Sequence, residues 1–143
     1  MKRLKDILLY LWQLPQNILG LGLLLIYRPD VKIIASNGNL VYFTHKMPGG
    51  ISLGKYSFIN KGYYTYYANN DVEKALMLDV TKHEAIGHGT QSKWLGPFYL
   101  LVIGLPSIIW ATLYGWIIPH TTNGYYKFYT EKSADKLGGV IRK

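Results

Sequence analysis

The chain has 143 residues, 16 Lys+Arg against 8 Asp+Glu, and no cysteine. An apolar fraction of 49% with 15% aromatics excludes intrinsic disorder. The missing cysteine excludes disulfide scaffolds, zinc ribbons and thiol nucleophiles.

The net charge of +8 asks for an anionic partner, and its placement says which. Lys2, Arg3 and Lys5 stand directly before an apolar run that Arg28 closes, as basic residues flank membrane segments. No helix-turn-helix, RNP-like or zinc-finger pattern is present. The expected partner is therefore a lipid bilayer and not nucleic acid, with the chain at a bacterial inner membrane or its equivalent.

The first charge-free run, residues 7–27, is 21 residues long. As one straight helix it would reach ~30 Å, just enough to cross a bilayer core. Gln13, Pro15, Gln16 and Asn17 interrupt its middle, so an interfacial or broken helix competes with a clean span. Residues 31–67 read as a small antiparallel sheet. Val31–Ala35 and Leu40–Lys46 flank Ser36-Asn37-Gly38-Asn39, a hairpin signal, and Ile51–Ile59 supplies a third strand after the Met47-Pro48-Gly49-Gly50 turn. Tyr63, Tyr64, Tyr66 and Tyr67 either form an interfacial belt or cover the sheet.

Asn69-Asn70-Asp71 caps a helix expected over residues 72–88, with Ala75, Leu76, Leu78, Val80 and Ile86 as its apolar side. The second charge-free run, residues 94–119, follows, centred on Gly104-Leu105-Pro106-Ser107. A last helix is expected over 125–137, stopped by Gly138-Gly139. The whole reads as one membrane-associated domain of α+β class.

Chemistry concentrates in two short strings. In Lys82-His83-Glu84-Ala85-Ile86-Gly87-His88, a glutamate follows one histidine and a second histidine lies downstream, as in H-E-x-x-H zinc sites. There the histidines bind the metal and the glutamate acts as general base on its water. In Tyr129-Thr130-Glu131-Lys132-Ser133-Ala134-Asp135, the E-x-x-x-D spacing puts both carboxylates on one helix face. Glu131 can then ligate a metal while Asp135 orients a ligand histidine.

This order resembles the gluzincin zinc metallopeptidases, and among them the membrane-embedded group that includes the Ste24 and HtpX proteases. Several further strings bring the chain close to a family of small uncharacterised bacterial membrane proteins. They are Gly87-His88, Gln91-Ser92, Leu95-Gly96-Pro97, Tyr99-Leu100, Gly104-Leu105-Pro106-Ser107, Phe128-Tyr129-Thr130-Glu131, Ala134-Asp135 and Leu137-Gly138-Gly139-Val140. Leu11-Trp12-Gln13-Leu14-Pro15-Gln16-Asn17 belongs to the same resemblance. The resemblance implies Zn²⁺ held by His83, His88 and Glu131, with Glu84 as general base, Asp135 behind the ligands, and a peptide or protein as substrate.

One feature departs from that pattern: His83 and His88 are five apart, where the zincin spacing is four. On a regular helix, five residues leave side chains ~140° apart, against ~40° for four. Three arrangements restore convergence: a π-bulge, a helix ending at Gly87, or Glu84 and His88 as the ligand pair. A shared site also requires both ends of the second charge-free run on one membrane face, hence a re-entrant helical hairpin reversing at Gly104–Ser107, against the alternative that Pro106 merely kinks a spanning helix. The competing expectation is a non-catalytic small membrane protein, holin-like or an interaction component, with a vestigial metal site.

Overall fold

The computed structural model describes residues 1–116 and 124–142. A four-stranded sheet lies between two helical layers. Its strands are β1 (Val31–Ile34), β2 (Leu40–Thr44), β3 (Gly50–Leu53) and β4 (Tyr56–Asn60), in the order β1-β2-β4-β3. The α+β class holds, but the sheet is mixed where an antiparallel one was expected: β1–β2 and β3–β4 are antiparallel, whereas β2 and β4 run parallel. The expected single strand Ile51–Ile59 is two strands folded at Gly54-Lys55. Gly54 has φ +66, and a Cβ there would meet Asn17 Oδ1 at 2.0 Å, so the turn demands glycine. The Asn-Gly hairpin forms as expected, with Gly38 at φ +84 between β1 and β2.

Strand alternation divides the core. Ile33, Val41, Phe43 and Ile59 face one side, where they pack with Ala68, Ala75 and Ala85. Tyr42, Tyr56 and Phe58 face the other, against Tyr10, Leu23, Leu24 and Tyr27. These last residues come from α1 (Lys2–Trp12) and α2 (Leu14–Tyr27), the two pieces of the first charge-free run, bent by 87°. Pro15 falls in the first turn of α2, where its missing N–H costs nothing.

The helix expected over 72–88 is interrupted. α3 (Val72–Met77), capped by Asp71 as expected, stops at Leu78, whose backbone is extended (ψ 140). Leu76, Leu78 and Val80 all pack on the same core. Residues two apart on a regular helix point to opposite sides, so the extended residue is what lets all three reach it. The chain continues through α4 (Asp79–Thr81), a π-helical turn over Lys82–His88, and α5 (Gly89–Leu95). Of the four tyrosines, Tyr63 and Tyr64 cover the core, while Tyr66 and Tyr67 are exposed.

The hairpin expected at Gly104–Ser107 does not form: those residues lie within one helical arm, residues 100–116, and the chain instead bends by 119° near the start of the second charge-free run, at Tyr99. The turn is set just before it: Gly96 (φ +53) lies so close to Trp12 that a Cβ would sit 2.1 Å from the indole. Pro106 is the second residue of α6 (Leu105–Trp116), a helix start that tolerates it. Among the described residues no single helix is long and apolar enough to cross a membrane. The end of this run, residues 117–119, lies outside the described residues. The last helix, α7 (Tyr129–Gly138), ends at Gly139 in the left-handed conformation (φ 70), as the Gly-Gly pair implies.

Candidate metal centre

The π-helical turn resolves the five-residue spacing. Its wider turn holds one more residue than an α-turn, so His83 and His88 come to one face. Such a turn needs help from outside, because it displaces carbonyls from their α-helical partners. The Ala85 carbonyl accepts from the side-chain amides of Asn37 (2.8 Å) and Asn39 (3.0 Å), both in the β1–β2 hairpin.

α7 lies directly against this turn, at backbone distance. A Cβ on Gly87 would sit 2.2 Å from the Ala134 carbonyl oxygen, and one on Gly138 would sit 2.6 Å from that of Lys82. Only glycine permits this approach, and it delivers Glu131 and Asp135 to the two histidines.

Side chains then converge. Glu131 Oε2 is 3.0 Å from His83 Nε2 and 3.5 Å from His88 Nε2. The imidazole planes are nearly perpendicular (89°), with centroids 4.8 Å apart. Donor atoms of His83, Glu84 and His88 all lie within 4.8 Å of one another. All five sequence-derived site residues, His83, Glu84, His88, Glu131 and Asp135, are buried.

The hydrogen bonds behind the rings fix the outward nitrogens. Asp135 Oδ1 accepts from His83 Nδ1 at 2.7 Å. Gln91 donates its amide to the Thr130 carbonyl (3.0 Å) and to Ser133 Oγ (2.6 Å), which leaves its oxygen to accept from His88 Nδ1 at 2.7 Å. Both Nδ1 atoms are therefore donors, and both Nε2 atoms face Glu131. Glu131 Oε1 is occupied by Ser107 Oγ and by Thr130 Oγ1 (3.0 Å), so Oε2 is the oxygen left for the histidines. Arg142 grips Asp135 through Nε (2.9 Å) and Nη2 (3.0 Å) and stacks on Tyr126, whose ring meets His83 edge-on. Ser52 Oγ lies 2.7 Å from Glu84 Oε2, and Gly50 leaves room for that carboxylate: a Cβ would come within 2.5 Å of Oε1.

The electrostatics follow. Burial opposes charge on His83, but hydrogen bonding to Glu131, the nearby Glu84 charge and Asp135 outweigh it and lift its pKa to about 9. Burial would raise Glu131, but hydrogen bonds from His83 and His88 and the contact with Ser107 hold it well below the usual carboxylate range.

Among the described residues, His83, Glu84 and His88 form a buried group that could hold a metal ion. Tetrahedral bonds of ~2.0–2.1 Å place neighbouring ligand atoms roughly 3.3 Å apart, and the two Nε2–Oε2 distances, 3.0 and 3.5 Å, bracket that figure. Sequence reasoning missed Ser52, Ser107 and Arg142 as neighbours of the site, and Gln91 as the residue that orients His88. Only Gln91 carried a local signal, three residues after His88 on a helix.

A cleft of about 1220 Å³ opens on the centre, lined by Ser52, His83, Glu84, His88 and Glu131 on one side and by Leu101, Leu105 and Ile108 on another. Comparison of the chain with protein-family models, with curated proteins and with solved structures finds no match in any of the three.

Proposed function

We propose that the protein is a membrane-associated, zinc-dependent peptide hydrolase. The observation that carries this reading is the convergence of His83 Nε2 and His88 Nε2 on Glu131 Oε2, at 3.0 and 3.5 Å, with both Nδ1 atoms tied down behind them. Three protein ligands leave a fourth position open, the arrangement of catalytic zinc sites. Held by His83, His88 and Glu131, zinc would supply a Lewis acid and lower the pKa of a water at the open position. Glu84, held by Ser52, takes a proton from the attacking water as its oxygen bonds to the scissile carbonyl carbon. It then returns that proton to the amine nitrogen as the C–N bond breaks. The apolar wall of the cleft selects a peptide with an apolar flank.

A second reading rests on the position of Glu84, close enough to both histidines to act as a fourth ligand. That would close the site and make the metal structural, in a non-catalytic membrane protein. One variant separates the two. On the first reading Glu84→Gln keeps zinc near one per chain and loses peptide hydrolysis by at least ~100-fold. On the second it loses zinc, and the native protein cleaves nothing. Metal content by elemental analysis, read beside cleavage of a quenched apolar peptide, tells them apart.

A further inference from the structure

The apolar surface of this molecule is arranged in stripes that no described part of the chain covers. On α1, Leu4, Ile7, Leu8 and Leu11 stand at helical spacing i, i+3, i+4, i+7, and each is more than half exposed. An amphipathic helix in a folded protein normally turns such a face inward. Here α1 is bolted to the body at the two edges of the stripe: Tyr10 Oη meets Tyr56 Oη at 3.1 Å, and Trp12 Nε1 donates to the Lys93 carbonyl at 3.1 Å. The stripe is therefore held outward by polar anchors, and no residue of α1 is buried.

Two more helices repeat the pattern. Leu14, Ile18, Leu21 and Leu25 are exposed along α2, and Leu105, Ile108, Leu113 and Trp116 along α6. Neither bent pair contains a helix able to cross a bilayer alone, and α1 stands at 87° to α2.

Charge chooses the occupant. Lys2, Arg3 and Lys5 surround the start of the α1 stripe against one acid, Asp6. Two copies meeting through this face would set three cations against three, whereas anionic headgroups would neutralise them.

We infer that α1 is an in-plane anchor: its Leu4/Ile7/Leu8/Leu11 stripe lies in the headgroup–acyl boundary of an anionic leaflet, with the basic triplet on the headgroups. This deepens the membrane association of the proposed function, naming its partner and mode, and does not depend on the zinc chemistry. An 11-residue helix lying flat covers ~16 Å of surface and buries its apolar face ~5–10 Å deep.

The native chain has no cysteine, so single labels are clean. Full-length protein carrying a fluorophore at Leu4→Cys, Leu8→Cys or Leu11→Cys is mixed with vesicles of phosphatidylcholine plus phosphatidylglycerol. Quenching by lipids brominated at graded depths is read, with zinc per chain measured on the same samples. The expected result is one shallow depth shared by all three positions. Affinity for phosphatidylcholine alone should be weaker by at least ~tenfold, and raising the salt should reduce binding to the anionic vesicles. A depth that deepens steadily from position 4 to 11 overturns the in-plane anchor in favour of insertion along the normal. Absence of quenching, or dimers that persist with these positions buried, overturns lipid as the occupant. Loss of zinc with quenching intact would count against the hydrolase reading alone, so the two failures stay distinguishable.

Discussion

At the scale of single residues, the centre depends as much on what stands behind the ligands as on the ligands. Gln91 can present only its oxygen to His88, because both amide hydrogens are spent on α7. Gln91→Leu should therefore weaken zinc binding ~10–100-fold without unfolding the chain, measured by competition with a chelator. The raised pKa of His83, about 9, makes a second prediction, for metal-free protein. The folded value lies above the unfolded one of 6.5, so this group's stabilisation is complete below pH 6.5 and is lost as pH climbs through about 9. Tm of the metal-free protein should fall across that window, and His83→Asn should flatten the decline. On the zinc reading the metal would displace the same proton, so zinc added at neutral pH should release acid, measurable as a buffer-dependent heat in calorimetry.

At the scale of elements, the π-helical turn and α7 form one unit. Gly87→Ala places a methyl group 2.2 Å from the Ala134 carbonyl. It should cost about 3 kcal/mol in denaturant unfolding and separate Glu131 from the histidines, with loss of zinc. A π-turn behaves as an α-helix with one residue inserted, so a chain lacking Ile86 should keep zinc within ~tenfold while restoring the four-residue spacing. Loss of zinc in that deletion would show that the wide turn itself shapes the site. The clustering of His83, Glu84, His88, Glu131 and Asp135 was legible in the sequence because each group of residues lies on a short helical stretch whose spacing is local. The wide turn was legible as one of three arrangements, since the choice rests on Asn37 and Asn39, some fifty residues away. The split of the third strand at Gly54 and the bend at Tyr99 were not legible. Each is imposed by a tertiary neighbour, Asn17 in one case and Trp12 in the other.

At the scale of the whole molecule, the amides that interrupt the first charge-free run turn out to be its fastenings. Gln16 donates to Ser92 Oγ (2.9 Å) and to the Gly96 carbonyl (2.8 Å), and Ser92 in turn donates to Gln13. Asn17 accepts from the Lys55 backbone at 2.8 Å. Gln16→Leu leaves Ser92 and Gly96 short of a buried partner and should cost about 1–3 kcal/mol in denaturant unfolding. These fastenings also set an order of events. Gln16 and Ser92 are 76 residues apart, and Trp12 and Lys93 are 81 apart. At 5–20 residues per second, a ribosome needs roughly 4–16 s to make the intervening chain. Throughout that interval Trp12, Gln13 and Gln16 lack their partners at residues 92–96, and only Asn17 has one already made, at Lys55. The α1–α2 elbow is therefore a late assembly step, and the apolar stretch around it needs shelter, from lipid or a chaperone, until residues 92–96 arrive.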